Sequence, residues 1–351
     1  MNGVFRFRTT KTVSFYTNRH MSSAVTETFD VAIIGGGVIG LSCAWKLAGR
    51  GARVLLLERL QSGREASFAA GGMLAPSCEN VVHPWAVAEK SQTAMFDFCL
   101  ASRQMYPVFA AQLLEETGLD IELLLQSYPS RDWKDWREPG ILYLPRDESD
   151  PRINALLEHG VATQFQERTA VLLPEDGQVE NRKLVAALKA AAIKAGVEIR
   201  ESCMVRQLVV EGDRVVGVAD DKEVISVGKV LMCAGAWSGK INGVPPEIAS
   251  SIRPVAGQMV QLRGERRVNQ VIYSDECYLV PRRDGRLIVG ATVEEVGFQK
   301  RVTAGGVSQL LRAACSLVPE LENAPLESHW AGLRPVTTDG LPMLGTTSLE
   351  N

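Results

Sequence analysis

From residue 29 the apolar positions form a short continuous block, then a helical repeat, then a second block: "FDVAIIGGGVIGLSCAWKLAGRGARVLLLER". Val31 to Ile34 is the uninterrupted run of a parallel strand buried on both faces. Val38 to Arg50 carries apolar residues at helical spacing and stops at Gly51. Arg53 to Glu58 is a second strand. This pattern predicts one half of a dinucleotide-binding fold. A complete nicotinamide-type domain would repeat strand and helix at short intervals, and the chain does not. Pro84 to Thr117 reads mostly helical, and "YPSRDWKDWREPG" leads into a strand at Ile141 to Leu144. A helix is expected over Asn181 to Ala195. Strands follow, two of them joined as a hairpin at Gly212-Asp213, with a further apolar strand at Lys229 to Cys233. A third strand-rich stretch, Ile252 to Ala291, turns at Asp284-Gly285. The expected fold class is α/β. A discontinuous, Rossmann-like dinucleotide domain takes residues 29–75, 176–246 and 330–351. A second, α+β domain around an antiparallel sheet takes 76–175 and 247–329.

Composition narrows the function. Hydrophobic residues make up 46% and charged residues 23% of the 351, an ordinary globular balance, and a net charge of -3 argues against a nucleic-acid partner. Apolar runs such as Val54 to Leu57 are too short to cross a bilayer, so no transmembrane segment is expected. Seven cysteines form no CxxC pair and four histidines sit at no metal-ligand spacing. Neither a disulfide framework nor a metal site is expected, and scattered reduced thiols suit the cytoplasm. The first 26 residues hold four Lys/Arg and no acid, a composition like that of an organelle transit peptide. Their amphipathic face is poorly developed, so Met21 is the expected start and residues 1–28 an extension.

Chemistry concentrates in the glycine turn. Gly35, Gly37 and Gly40 form G-x-G-x-x-G between strand and helix: for the tight turn, for approach of a diphosphate, and for close helix packing. The helix N-terminus offers free N–H groups and partial positive charge to phosphates. Glu58, 23 residues after Gly35, stands where a carboxylate accepts from a ribose 2′-hydroxyl and would repel a 2′-phosphate. Next comes "SGREASFAAGGMLAP", whose small residues let backbone approach something flat. By composition alone it reads as a flexible loop. Arg334, in "WAGLRPVTTDGLPMLG", reads by itself as a structural ion pair, because buried charges are generally paired.

Five ordered stretches carry a resemblance over Phe29 to Gly345: "VAIIGGGVIGLSCAWKLA", "EASFAAGGMLAP", "VLMCAGAWS", "CYLVPRRDGRLIVGAT" and "WAGLRPVTTDGLPMLG". The chain resembles the D-amino acid oxidase superfamily of FAD-dependent amine oxidoreductases, and within it the glycine oxidases of the thiamine-biosynthesis type. The resemblance implies FAD as cofactor. Val38 and Ile39 would meet its diphosphate, Glu58 and Arg59 its adenosine ribose, and the backbone of Val205 its adenine end. Ala66, Ser67, Gly71, Gly72 and Met73 would line the path to the flavin ring. Arg334 would fork onto the substrate carboxylate through two parallel hydrogen bonds. Tyr278 would face the substrate, and Tyr273 matches a second tyrosine there. The sequence departs from the glycine oxidase pattern at Glu276, where a histidine is found, and at Val293, where a methionine follows "GAT".

The implied reaction transfers hydride from the amino acid Cα to the flavin, with oxygen as electron acceptor and peroxide released. It needs no catalytic acid or base, which fits a sequence without a convincing acid–base pair. Glycine would yield glyoxylate and ammonia, or an imine captured for the thiazole of thiamine. Sarcosine and D-amino acids are alternative substrates. A flavoprotein serving RNA modification is a further alternative, disfavoured by the acidic balance. Homo-oligomers are common among such enzymes, and one is expected. After "DGLPMLG" the resemblance implies another strand and a glycine turn opening a helix beneath the flavin. The chain ends at "TTSLEN", so an incomplete chain holding FAD weakly is expected.

Overall fold

In the computed structural model, which describes residues 29–82, 89–128, 135–264 and 266–350, two large sheets divide the chain. The first has the order Glu198–Arg200, Val54–Leu57, Phe29–Ile34, Val224–Met232, Arg214–Ala219, Gln207–Glu211. Its first four strands are parallel and the last two antiparallel. All four residues of Val54–Leu57 are buried, which is why this strand reads as an unbroken apolar run. Helices Val38–Ala48 and Asn181–Lys194 share a core on this sheet through Leu41, Trp45, Leu184 and Leu188. The Asn181–Lys194 helix starts where expected because the Glu180 side chain caps it, accepting from Lys183 N–H at 2.6 Å.

The second sheet has the order Leu326–Thr337, Ile252–Arg263, Arg286–Gly290, Tyr278–Pro281, Val271–Tyr273, Ile141–Tyr143, Arg168–Leu173, Val161–Phe165. It is antiparallel except where Val271–Tyr273 meets Ile141–Tyr143. Helix Ala304–Leu317 covers it, burying Leu310 and Leu317 with Val260, Leu279 and Val289. Thr303 caps that helix, its Oγ1 accepting from Gly306 N–H at 3.1 Å.

Several elements differ from the sequence reading. The domain boundary expected at residue 330 falls inside a strand: Leu326–Thr337 pairs with Ile252–Arg263 along almost its whole length. Residues 330–337 therefore lie in the second sheet, because that register fills the edge of Ile252–Arg263. The chain then returns to the first sheet, where Glu350 exchanges backbone hydrogen bonds with Asp213 and Val215 at 2.7 and 2.8 Å. The strand expected from Lys229 begins earlier, at Val224, because its first residues pair with Arg214–Ala219. The helical stretch predicted over Pro84 to Thr117 holds helix Glu89–Thr117, residues 83–88 lie outside the described ones, and a short helix that was not predicted, Pro76–Val82, precedes it. The extension 1–28 also lies outside them. Among the described residues no helix is long and apolar enough to cross a membrane.

Candidate active site

At the glycine turn, steric constraint and open space are divided cleanly. Gly35 has φ +109°, and a Cβ there would lie 2.3 Å from the Cys233 carbonyl oxygen. At Gly40 a Cβ would lie 1.9 Å from the Gly35 carbonyl oxygen, so helix and turn can close only on glycine. A Cβ on Gly37 would meet one atom, Ser67 Oγ, at 3.2 Å. The Val38 N–H donates to that same Ser67 Oγ at 2.9 Å. Ile39, next along the helix, is a large apolar residue left 66% exposed.

Glu58 is buried under the turn. Its Oε2 accepts from Gly36 N–H at 2.8 Å and its Oε1 from Leu60 N–H at 3.0 Å. Each carboxylate oxygen keeps a further lone pair for a hydroxyl donor. Arg59 pairs with Glu65 and stacks 3.7 Å over the Trp237 ring, which orients it. Val205 is buried with Leu55, Leu57 and Leu208. Two residues before it, Cys203 N–H donates to Glu58 O at 2.9 Å, so the structure brings this segment alongside Glu58.

The loop that composition alone reads as flexible is tied down. Ala66–Ala69 forms one helical turn, and Asn181 Nδ2 donates to the carbonyls of Ser67 (2.8 Å) and Phe68 (3.1 Å). Gly72 has φ +75°, and a Cβ there would strike Val179 O at 2.2 Å. The Val179 N–H returns a bond to Gly72 O at 2.8 Å, and Met73 pairs with Gln178. Arg282, which the sequence reading did not single out, completes the clamp from the second sheet. It is fully buried and donates to Gly71 O (2.8 Å), Val179 O (3.0 Å) and Asn181 Oδ1 (3.0 Å). Burial pulls its pKa down to about 10, against the opposing pull of Glu180. The available signal was an arginine ending an apolar strand, "CYLVPR".

Arg334 sits opposite Val255 in the second sheet, and its guanidinium lies across Gly257. A Cβ on Gly257 would come within 2.6 Å of Nη1 and 2.8 Å of Nη2, so glycine makes the room. Nη1 donates to Thr292 O at 3.3 Å. Among the described residues no carboxylate stands within ion-pair distance of Arg334, so it is not the structural ion pair that its position alone suggests. Tyr278 lies between two glycines: a Cβ on Gly71 would be 2.9 Å from its ring and one on Gly290 2.6 Å from its Oη. Its phenol lies 3.4 Å from Met259 Sδ, and the Arg334 charge acts on it. Burial pushes the Tyr278 pKa up to about 12, opposed by the Arg334 charge and reinforced by Glu79. The Tyr273 ring lies 6.0 Å from that of Tyr278 and its Oη donates to Glu79 Oε1 at 3.3 Å. Glu276 and Val293, where the glycine oxidase pattern is broken, are both exposed.

These are the parts of a dinucleotide-dependent oxidoreductase whose second sheet carries an arginine with no carboxylate partner among the described residues. Residues 30–351 match the FAD dependent oxidoreductase (DAO) family, and the chain belongs to it. It is 36% identical to a glycine oxidase of Pseudomonas aeruginosa over 90% of this chain and 85% of that protein. It is 34% identical to the bifunctional protein ThiO/ThiG of Trichormus variabilis over 92% of this chain, spanning about half (49%) of that longer protein. Among solved structures, a glycine oxidase from Geobacillus kaustophilus superposes with a TM-score of 0.77 at 30% identity, covering 92% of this chain and 86% of that one.

Proposed function

We propose that the chain oxidises glycine to glyoxylate and ammonia, passing the electrons to oxygen with release of hydrogen peroxide. The observation that carries this reading is Arg334, a half-buried guanidinium that among the described residues has no carboxylate partner and whose charge acts on Tyr278. The glycine oxidases among the relatives support it.

The residues present fit FAD. The open side of Gly37, the exposed apolar Ile39 and the buried, oriented Glu58 leave a lined approach at the helix N-terminus. Gly35, Gly37, Val38, Ile39 and Gly40 would hold the diphosphate, and Glu58, Arg59 and Val205 the adenosine end. Ala66, Ser67, Gly71, Gly72 and Met73 would border the flavin. Bound there, FAD supplies a two-electron acceptor for the amine carbon. The chain's own work is orientation: Arg334 fixes the carboxylate in position and angle, and Tyr278 bears on it from the side. Arg282 keeps the Gly71–Gly72 backbone in place from behind. No side chain is assigned as acid or base.

The ThiO/ThiG relatives support a place for this activity in thiamine thiazole synthesis. The same reading has the enzyme act in the cytoplasm as a homo-oligomer. A peroxide assay across glycine, sarcosine and small D-amino acids tests the function. Glycine or sarcosine should be turned over fastest, and no peroxide from any of them would overturn the proposal.

A further inference from the structure

The two tyrosines have an acidic neighbour as well as a basic one. Helix Pro76–Val82 carries Glu79, half-buried, whose Oε1 accepts from Tyr273 Oη at 3.3 Å. The Tyr273 and Tyr278 rings lie 6.0 Å apart, inclined at 31°. The charge of Arg334 acts on Tyr278 as well. A pair of phenols thus stands between an anion and a cation, and Tyr278 feels both charges in opposite directions.

A cation alone would make this a general carboxylate site, favouring simple acids as much as amino acids. An acid placed across the tyrosines changes the selection, because a charged ligand group is bound best by its opposite in a partly buried site. We propose that Glu79 receives the amino group end of the substrate while Arg334 holds its carboxylate, so that the pocket selects small zwitterionic amino acids over simple carboxylates. The inference rests on the reading of Arg334 as the carboxylate receptor. Glu79 is a binding and positioning group here, with no proton transfer assigned to it.

The helix is anchored without Glu79. Ser77 and Cys78 N–H donate to Asp176 at 3.2 and 2.9 Å, and Arg103 pairs with the same carboxylate at 2.6 Å. A Gln at position 79 keeps an acceptor for Tyr273, so Glu79→Gln removes charge with little change of shape.

The test compares wild type and Glu79→Gln, both supplied with FAD, for glycine KM and for acetate inhibition. Glycine KM should rise about tenfold, the value of one charge-assisted contact made neutral. The acetate inhibition constant should stay the same or fall, because acetate carries no ammonium group and the repelling charge is gone. Equal weakening of glycine and acetate would mark a merely structural role and overturn the proposal, as would no change in either. If wild type proves inactive with glycine, the proposed reaction fails by itself. The same ratio, measured with whichever amino acid is oxidised or by each ligand's perturbation of the flavin spectrum, still decides the role of Glu79.

Discussion

Arg334 owes its position to what its neighbours lack. Gly257 has no side chain beneath the guanidinium, and Thr292 offers only one carbonyl at 3.3 Å. Among the described residues no carboxylate pairs with Arg334, and on the proposed reading it takes the carboxylate of the substrate. Arg334→Ala should raise glycine KM by orders of magnitude while leaving FAD retention unchanged, since truncating one partner of a buried charge pair costs about 2 to 5 kcal/mol. Arg334→Lys should recover little, because an ammonium cannot reproduce two parallel donors. Steady-state kinetics beside a flavin titration separate the two effects, and normal glycine kinetics in Arg334→Ala would remove the carboxylate assignment. The arginine was visible in the sequence, yet its setting was not. Gly257 lies 77 positions earlier in the chain, on the partner strand, and local pattern says nothing about such a pairing.

At the scale of the element, the strand, turn and helix from Phe29 to Ala48 bring two glycines of opposite character together. Gly40 is a packing glycine, its missing Cβ replaced by the Gly35 carbonyl 1.9 Å away. Gly37 faces open space apart from Ser67 Oγ. Gly40→Ala should therefore lower the thermal midpoint and abolish FAD binding together. Gly37→Ala should fold with a midpoint near wild type and still bind FAD several-fold more weakly. Thermal unfolding paired with FAD titration reads both, and equal loss of stability in the two variants would contradict the division. This element was legible because its period and turn residues are local. Helix Ala304–Leu317 was not anticipated, since its first turn holds Gly305 and Gly306, weak helix formers, and its start depends on the Thr303 cap and on packing against the second sheet. The helical turn Ala66–Ala69 was hidden in the same way: small residues carry no periodic signal, and Asn181, far along the chain, holds it.

Across the whole molecule, the two sheets meet at a buried polar knot. Arg282 comes from the second sheet and bonds to the Gly71 carbonyl in the loop and to Val179 and Asn181 at the head of the Asn181–Lys194 helix. Glu180 completes the knot from 3.9 Å. Arg282→Met should cost about 3 kcal/mol of unfolding free energy, because it removes the arginine's hydrogen bonds to Gly71 O, Val179 O and Asn181 Oδ1 and one of the two arginines near the buried Glu180 carboxylate. Denaturant unfolding measures that loss, and a variant as stable as wild type would mean the two sheets hold together without the knot. Such a contact joins positions about 100 to 200 residues apart and leaves no trace in local periodicity, which is why the sequence pointed to the loop but not to its clamp.

All three scales converge on one act, the passage of two electrons from a small amino acid to FAD. The most direct measurement is to mix the chain, supplied with FAD, with glycine in the absence of oxygen and follow the visible flavin absorbance. The account predicts that the absorbance is lost on adding glycine. It should return when air is admitted, with peroxide and glyoxylate formed in equal amounts. A bound flavin whose oxidised spectrum is untouched by glycine, sarcosine and small D-amino acids alike would contradict it.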